Sequence, residues 1–413
     1  MSLSAERASI LRGRSPAVLL ASCAVSLSAG LAANLAAAAD EADQGISFDA
    51  VYTGDLIRNL DGGVRTGGTY LDNLDLQLIA NPGSIFGVPG LSGMVYVLHN
   101  NSAEFSADYV GDAHVISNID APRGFKLYEA WLDWASANDG FSARVGLYDL
   151  NSEFDAIDTG ALFINSASGI GTDFGQTGLN GPSIFPITSL ALRLRARFGA
   201  GGYAQFAVLD GVPGDPDDPD ENEIALSSED GALLVAEAGY GGGNWRKLAL
   251  GAWSYTADFE RLTDPDGPQD DGNHGWYAIA DRYLLGDEDA GSGPVVAGFL
   301  RIGQAAERYN PIHNYVGAGI TMGRFSRLRP DDEMGLAVSV GMNGDDYEDA
   351  RLQEGLGTRR TETNIEFTYR APITDWLTLQ PDIQYVINPG TDPDLDNSFV
   401  IALRFELAFS RAL

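Results

Sequence analysis

The chain has 413 residues, and its 58 acidic side chains against 26 lysines and arginines give a formal net charge of -32 at pH 7. A charge of this sign argues against a nucleic-acid partner, because phosphate binding requires a basic face. After the first forty residues, no apolar run approaches the roughly 18–20 residues that a membrane-spanning helix needs. With 50 glycines, 18 prolines and 10% aromatic residues, the composition favours an all-β chain.

The first forty residues are typical of a secretory signal peptide. Arg12 and Arg14 precede an apolar run over residues 17–35, and small residues follow up to Ala39. A positive start, an apolar middle and a small-residue end predict cleavage after Ala39. We therefore expect a cleaved signal peptide, 1–39, and a single exported domain, 40–413.

The only cysteine, Cys23, lies inside this predicted signal peptide. The sequence LASC over residues 20–23 also resembles the attachment box of bacterial lipoproteins, which is the alternative interpretation. The apolar run continues well past Cys23, and this favours the cleaved signal peptide. The exported domain would then contain no disulfide, although it crosses to an oxidising compartment.

Alternation of apolar and polar residues recurs along the chain from residues 48–53 onward. In the closing segment, Phe399 and Ile401 alternate with Val400 and Ala402. A period of two places alternate side chains on opposite faces of a strand. The length of this segment suits a tilted membrane-spanning strand of about 9–11 residues better than a soluble strand of about 5–6. The closing segment, 399–409, shows the pattern most clearly, and it recurs at 190–198, 365–370 and 377–385. Weaker versions are found at 74–80, 141–148, 295–304 and 315–322.

The connections between the predicted strands alternate in length. A transmembrane barrel has tight turns at one end and extended loops at the other, whereas a soluble sandwich has no reason to keep this asymmetry. The sequence therefore predicts an all-β fold, a transmembrane antiparallel β-barrel of about 16 strands with long extracellular loops. The short connections are 135–140, 199–202, 241–246 and 371–375, and the long ones are 100–124, 149–187, 211–231, 258–274 and 343–361.

The predicted strand at 190–198 carries arginines on one face and leucines on the other. An arginine that faces lipid at mid-membrane costs about 2–4 kcal/mol. Three of them, Arg193, Arg195 and Arg197, would cost an amount comparable to the whole stability of a domain. We therefore expect the arginines to face an aqueous lumen. There they either contact a transported solute or neutralise lumen acids such as Glu129, Glu237 and Glu366.

Six stretches between residue 50 and the C-terminus form an ordered set of motifs. They are AVYTGDLIRNLDGG at 50–63, LYEAWL at 127–132, a block beginning GLYDLNSEF at 146–195, AVLDGVPGDPDDP at 207–219, the segment 362–390 beginning ETNIEFTYRAP, and the closing strand. Together they resemble the carbohydrate-selective outer-membrane porin (OprB) family over essentially the whole exported chain. The resemblance implies a sixteen-stranded barrel and passive, sugar-favouring uptake across a Gram-negative outer membrane.

The connection at 149–187 is the third long loop of the predicted barrel. By analogy with sixteen-stranded porins, it is expected to fold into the lumen and to form the constriction. A loop of this length is usually functional or disordered, and spaced aromatic residues argue against disorder. Its phenylalanines are predicted to anchor it to the barrel wall; they are Phe154, Phe163, Phe174 and Phe185.

We hypothesise that the constriction combines an arginine row with carboxylates. Such a pairing offers donors and acceptors to sugar hydroxyls without favouring one net charge. Conduction also requires binding that is weak and spread over several sites. Trp131 is in phase with Glu129 and Asp133, which places it on the lumen face. The candidate substrate-binding or constriction residues are Arg193, Arg195, Arg197, Glu129, Arg144, Asp149, Glu366, Arg370 and Trp131.

Three tryptophans, Trp134, Trp245 and Trp376, adjoin predicted short turns. Tryptophan is enriched where membrane proteins cross the interface between lipid and water. We therefore expect these three side chains in an aromatic girdle at one rim of the barrel.

Acidic clusters lie in predicted loops at 215–221, 264–266 and 287–289. Such runs are usually solvated faces. The alternative is a loop-bound divalent cation, because Ca²⁺ prefers carboxylate oxygens; no other cofactor is expected. The expected partners are small carbohydrates together with outer-membrane lipid and lipopolysaccharide, and the barrel is expected to be a monomer or a homotrimer.

Three other functions are considered. The first is a general, non-selective diffusion porin with a weak cation preference, and the second is an outer-membrane barrel enzyme. The third is a soluble periplasmic β-sheet binding protein, which would share the alternation but would not require long strands or alternating loop lengths. The four histidines form no HExxH motif, and the sequence has neither a GxSxG elbow nor a phosphate-binding GxxxxGK[ST] loop. We therefore expect no enzymatic activity.

Overall fold

The computed structural model describes residues 46–81, 87–101, 104–214, 224, 230–286 and 293–412. The predicted signal peptide, 1–39, lies outside them. The strands are β1 (Ile46–Asp61), β2 (Gly67–Ala80), β3 (Leu91–Asn100), β4 (Gly124–Ala135), β5 (Phe141–Tyr148), β6 (Ser189–Phe198), β7 (Gly202–Asp210), β8 (Ala232–Gly242), β9 (Trp245–Tyr255), β10 (His274–Leu285), β11 (Val295–Ala305), β12 (Ile312–Gly323), β13 (Glu333–Asn343), β14 (Thr361–Thr374), β15 (Leu377–Ile387) and β16 (Ser398–Ala412).

These strands close into a single antiparallel barrel, in which each strand pairs with its neighbours in sequence and β1 pairs with β16. Along the closing seam, Ser47 lies opposite Ala412 and Asn59 lies opposite Val400. Closure satisfies the backbone N–H and C=O groups internally, as a spanning structure in lipid requires. The predicted fold and the predicted number of strands are confirmed.

The two ends of the barrel differ as the connection lengths predict. At the end that holds both termini of the barrel, here called the turn end, the shortest turns are 199–201, 243–244 and 375–376. At the opposite end, the loop end, loop 2 includes residues 104–123, and loop 3 is residues 149–188. The helical segments are Ser106–Val110, Leu150–Ser152, Gly160–Leu162, Ser166–Ser168, α1 (Thr172–Gly175), α2 (Asp345–Gln353) and Pro389–Thr391.

In the part of the chain that the structure describes, no helix has both the length and the apolar character needed to cross a membrane.

Side chains alternate between the lumen and the outer surface along every strand. On β6, Leu192 is 47% exposed on the outer surface, whereas Arg193 is 2% exposed on the inside. The predicted orientation of this strand, with leucines outward and arginines inward, is therefore confirmed. Trp134 and Trp376 are exposed at the turn end, where an aromatic girdle is expected, and Trp245 is partly buried there beneath the guanidinium of Arg282.

Small residues line the inner wall of β12 and β13. In the register of these two strands, Gly319 lies opposite Ala337 and Thr321 lies opposite Gly335. This leaves a shallow recess in the wall, and the ring of Phe163 from loop 3 occupies it, in edge-to-face contact with Phe299 at 6.2 Å between ring centroids. The recess is therefore where the wall accommodates loop 3.

We expect Gly335→Ala to destabilise the barrel, because a Cβ on Gly335 would lie 2.7 Å from the Phe163 ring. Overpacking of this kind typically costs about 1–3 kcal/mol. Gly323→Ala is the matched control, since a Cβ there meets its nearest neighbour at 3.6 Å. Chemical unfolding of the two variants in detergent measures the difference. Equal midpoints for both variants would contradict the assigned seat of Phe163.

Candidate functional site

Loop 3 folds into the barrel, as the sequence analysis predicts. Residues near its middle reach the far wall, where Gln380 on β15 donates a hydrogen bond to the Leu162 carbonyl at 2.8 Å. On the return path, the hydroxyl of Tyr315 on β12 donates to the Ala167 carbonyl at 2.6 Å. Wall side chains thus satisfy backbone groups that would otherwise be buried without partners. The loop therefore lies inside the barrel and narrows the lumen.

The phenylalanines of loop 3 anchor it to the wall. Phe154, Phe163, Phe174 and Phe185 are all buried. Phe174 stacks on Trp253 of β9 with ring centroids 5.0 Å apart. Their predicted role as wall contacts is visible in the packing, and it explains why so long a segment is ordered.

Loop 2 also folds inward, which the sequence analysis does not predict. Its Ser117 hydroxyl donates to Asp55 on β1 at 2.6 Å. The backbone N–H of Asn118 donates to the Ile164 carbonyl of loop 3 at 2.9 Å. The two loops therefore meet inside the barrel and restrict its cross-section together.

Arg193 is the centre of a buried ionic network on the inner wall. Its Nε lies 2.7 Å from Glu153 of loop 3, and its Nη2 lies 2.7 Å from Asp133 on β4. Its Nη1 donates to the Ser142 hydroxyl on β5 at 2.6 Å. Although burial alone would raise the pKa of Glu153, the guanidiniums of Arg144 and Arg193 hold that pKa below its ordinary value. Glu153 therefore remains a carboxylate beside the arginines.

The next two arginines of the row are progressively more exposed toward the turn end. The side chain of Arg195 is 24% exposed, and its Nη1 lies 3.5 Å from Glu153. Its guanidinium also lies over the ring of Tyr203, 4.8 Å from the ring centroid. The side chain of Arg197 is 54% exposed and forms an ion pair with Asp139 in the turn at 136–140. The row thus runs from beneath loop 3 to the mouth at the turn end.

Arg144 on β5 completes this side of the wall. Its Nε lies 2.9 Å from Asp133, and its guanidinium lies over the ring of Trp131 at 3.8 Å from the centroid. The indole N–H of Trp131 donates to Glu129 at 3.1 Å, and Glu129 also accepts the backbone N–H of Asp149 at 3.1 Å. These contacts connect the predicted residues of β4 and β5 to the first residue of loop 3.

These groups line one polar cavity of about 190 Å³ between loop 3 and the wall. Four of the nine predicted site residues contribute to it, and Trp131 lies against Arg144 at its edge. The cavity presents guanidinium donors next to carboxylate and hydroxyl acceptors. Its lining residues are Ser92, Asp133, Ala135, Asp139, Ser142, Arg144, Glu153, Arg193, Arg195 and Arg197.

Two predicted residues, Glu366 and Arg370, lie on β14 away from this cavity. Glu366 is buried, and its carboxylate accepts the backbone N–H groups of Ile164 at 2.6 Å and Asn165 at 3.1 Å. It therefore holds the middle of loop 3. Arg370 is 3.8 Å from Glu406 and 3.9 Å from Glu333, so it belongs to a separate ionic group.

Sequence reasoning does not select Asp133, Glu153 or Ser142 as site residues. Asp133 has a usable signal, because it is in phase with Glu129 and Trp131 on one strand. Ser142 is in phase with Arg144 in the same way. Glu153 has none, because it lies in a loop without periodicity and its partners are remote in sequence.

Two of the three acidic clusters lie beyond the part of the chain that the structure describes. Within that part, no group of three or more His, Cys, Asp or Glu side chains is arranged to hold an ion. Within the cluster at 264–266, the backbone of Asp264 forms an isolated antiparallel β-bridge with the backbone of Arg261. The clusters at 215–221 and 287–289 lie outside the described residues.

A closed barrel with an apolar outer surface, a polar interior and an inward-folded loop defines a porin of the Gram-negative outer membrane. Residues 65–409 match the family model described as "Carbohydrate-selective porin, OprB family". The chain belongs to this family, and it is a carbohydrate-favouring channel.

Individual relatives agree with this assignment. Porin B of Pseudomonas aeruginosa is 25% identical, over 89% of this chain and 88% of its own length. The high-pH structure of Pseudomonas putida OprB superposes with a TM-score of 0.78 at 21% identity, covering 90% of this chain and 96% of that one. The channel DcaP of Acinetobacter baumannii has a TM-score of 0.53 at 10% identity, covering 89% and 98%. At these identities, the two structures support the fold alone.

Proposed function

We propose that this channel passes monosaccharides and other small neutral solutes by passive diffusion, and that the arginine-lined cavity is the narrow polar part of the path. The observation that carries the proposal is the pairing of charges in the cavity. Arg144 and Arg193 share Asp133, Arg193 and Arg195 share Glu153, and Arg197 pairs with Asp139. The wall therefore offers strong donors and acceptors to hydroxyl groups while its net charge stays small.

Guanidiniums cover the aromatic faces nearest the path, which supports recognition by hydrogen bonds rather than by stacking. Arg144 lies 3.8 Å above Trp131, and Arg195 lies 4.8 Å above Tyr203. A sugar ring that stacks would have to displace these cations. Short polar solutes that exchange hydrogen bonds with the arginines suit such a surface better than long chains that slide over exposed rings.

We expect the double variant Arg195→Ala, Arg197→Ala to change both the single-channel conductance and the block of current by added glucose. The two side chains are the most exposed cations of the row, so their loss removes donors from the path without exposing a fully buried acid. Arg261→Ala is the control, since Arg261 pairs with Asp270 in the loop between β9 and β10. Planar-bilayer recordings with titrated glucose and maltose measure the effect. Unaltered conductance and sugar block would contradict the assignment.

A general diffusion pore with a weak cation preference is the second candidate. The net charge of -32 favours it, because a strongly acidic protein attracts cations to its mouths. The same recordings separate the two functions. Current that is indifferent to glucose and maltose would support the general pore, and glucose-dependent block would support the sugar channel.

We also propose that the channel lacks enzymatic activity. The hydrogen-bonded histidine rings contact structural groups: His114 accepts the Gly341 backbone N–H at 3.1 Å, and His313 contacts the Ala305 carbonyl at 2.6 Å. These rings stabilise strand ends and loops. An assay of the purified protein on phospholipid and peptide substrates tests this proposal, and turnover of either would contradict it.

The exposed apolar side chains of the outer surface support a proposal about the lipids that surround the barrel. Leucines and phenylalanines such as Leu250 and Phe367 are exposed on it, and we propose that they contact acyl chains of phospholipid and lipopolysaccharide. The mass of the detergent-solubilised channel decides between a monomer and a homotrimer.

A further inference from the structure

A second buried ionic cluster lies on the side of loop 3 that faces away from the arginine-lined cavity. Arg301 on β11 is fully buried, with its Nε 3.1 Å from one carboxylate oxygen of Asp155 and its Nη2 2.7 Å from the other. Its Nη1 forms an ion pair with Asp173. Both carboxylates belong to loop 3, at two points separated along the loop, so one wall cation binds the outgoing and the returning segments.

The surroundings of Arg301 fit this cluster closely. A Cβ on Gly171 of loop 3 or on Gly303 of β11 would overlap the guanidinium or its carboxylate partner. The rings of Tyr277 and Tyr315 flank the guanidinium at 5.6 and 5.1 Å. The guanidinium is therefore closely enclosed by loop 3, β11 and the two tyrosine rings.

The cluster is coupled to the cavity through a very short piece of chain. Glu153 is bound to Arg193 on β6, and Asp155, only two residues further, is bound to Arg301 on β11. The strands between β6 and β11 also bind this segment: Gln205 on β7 donates to the Glu153 carbonyl at 3.0 Å, and Lys247 on β9 donates to the Ala156 carbonyl at 3.1 Å. Residues 153–156 therefore contact the inner wall from β6 to β11.

We propose that Arg301 is a positioning residue that sets the size limit of the channel by holding loop 3 against the wall. Two buried carboxylates depend on its charge, and a buried acid without its cation is strongly unfavourable. Without Arg301, Asp155 and Asp173 stay ionised only if they reach water, which requires this part of loop 3 to leave the wall. The inference rests on the proposed function in one respect: loop 3 must border the solute path.

The test compares Arg301→Met with Arg370→Met in planar bilayers and in liposomes. Arg370 is the matched control, because it is a wall arginine of low exposure that faces two acids, Glu333 on β13 at 3.9 Å and Glu406 on β16 at 3.8 Å. These ion pairs involve neither loop 2 nor loop 3, and Arg370 lies away from the arginine-lined cavity. Electrophoresis of unheated and heated samples shows whether each barrel is folded, because a folded barrel migrates differently before it is heated.

We expect Arg301→Met to raise single-channel conductance at least about twofold, since conductance follows the dimensions of the pore. It should also admit sucrose and raffinose faster relative to glucose in liposome swelling. The triple variant Arg301→Met, Asp155→Asn, Asp173→Asn should return toward wild type, because it leaves no unpaired charge. If Arg301→Met does not fold, Arg301→Lys is tested in its place. Lysine keeps the positive charge but cannot make the bidentate contact with Asp155. We expect its single-channel conductance to be above that of the wild type but less than twofold higher.

Wild-type conductance and size limit in the folded Arg301 variant would overturn the proposal, and so would equal widening in Arg370→Met. If added sugars do not block the current of the wild-type channel, that result counts against the proposed function alone. The increase in conductance expected for Arg301→Met does not depend on sugar recognition.

Discussion

Replacing Arg193 by methionine is expected to lower the free energy of unfolding by about 3–5 kcal/mol, the range seen when one partner of a buried ion pair is removed. The side chain of Arg193 is 2% exposed, and its removal leaves Asp133 and Glu153 competing for fewer cations. Arg144 and Arg195 contact the same acids and offset part of the loss, which places the expected value near the lower limit. Chemical unfolding in detergent measures it.

Arg197→Met is the matched control on the same strand. Its partner Asp139 is as exposed as Arg197 itself, so the pair contributes only about 0–1 kcal/mol. The two arginines should therefore separate stability from conduction: we expect Arg193 to be required for stability, whereas the exposed Arg197 borders the proposed path. A loss for Arg197→Met equal to that for Arg193→Met would contradict this division.

Most of the fold is predictable from local pattern. A period of two identifies both faces of β6, β14, β15 and β16, because lipid selects apolar side chains on one face and the lumen tolerates polar ones on the other. The alternation of short and long connections then identifies the turn end and the loop end of the barrel. Neither signal depends on contacts between residues that are remote in sequence, so both can be recognised from one sequence alone.

The site is only partly predictable, for the opposite reason. The orientation of Arg193, Arg195 and Arg197 follows from the cost of placing arginine in lipid, but their partners follow from tertiary contacts. Glu153 reaches Arg193 because loop 3 folds into the barrel, where Arg301 and Glu366 also bind it. Glu366 binds the backbone of loop 3 at Ile164 and Asn165, and for this reason it does not line the arginine-lined cavity. Loop 2 has no periodicity that would reveal its inward course.

A ladder of aromatic rings connects loop 3 to the loop end. Phe259 and Tyr255 are in edge-to-face contact at 5.3 Å, Tyr255 contacts Trp253 at 5.9 Å, and Trp253 stacks on Phe174 at 5.0 Å. All of these rings are buried. They are therefore packing contacts that hold loop 3, not a surface along which a sugar could slide.

Phe174→Ala should accordingly cost about 3–5 kcal/mol, because it leaves a cavity beneath loop 3 where the ring now stacks on Trp253. Phe367→Ala is the control, since that ring is 46% exposed on the outer surface. There acyl chains can fill the space, so the loss should be clearly smaller. Unfolding in detergent measures both, and liposome swelling with sucrose reports whether the loop has moved. If Phe174→Ala is as stable as Phe367→Ala, then the polar contacts of loop 3 hold it without the aromatic ladder.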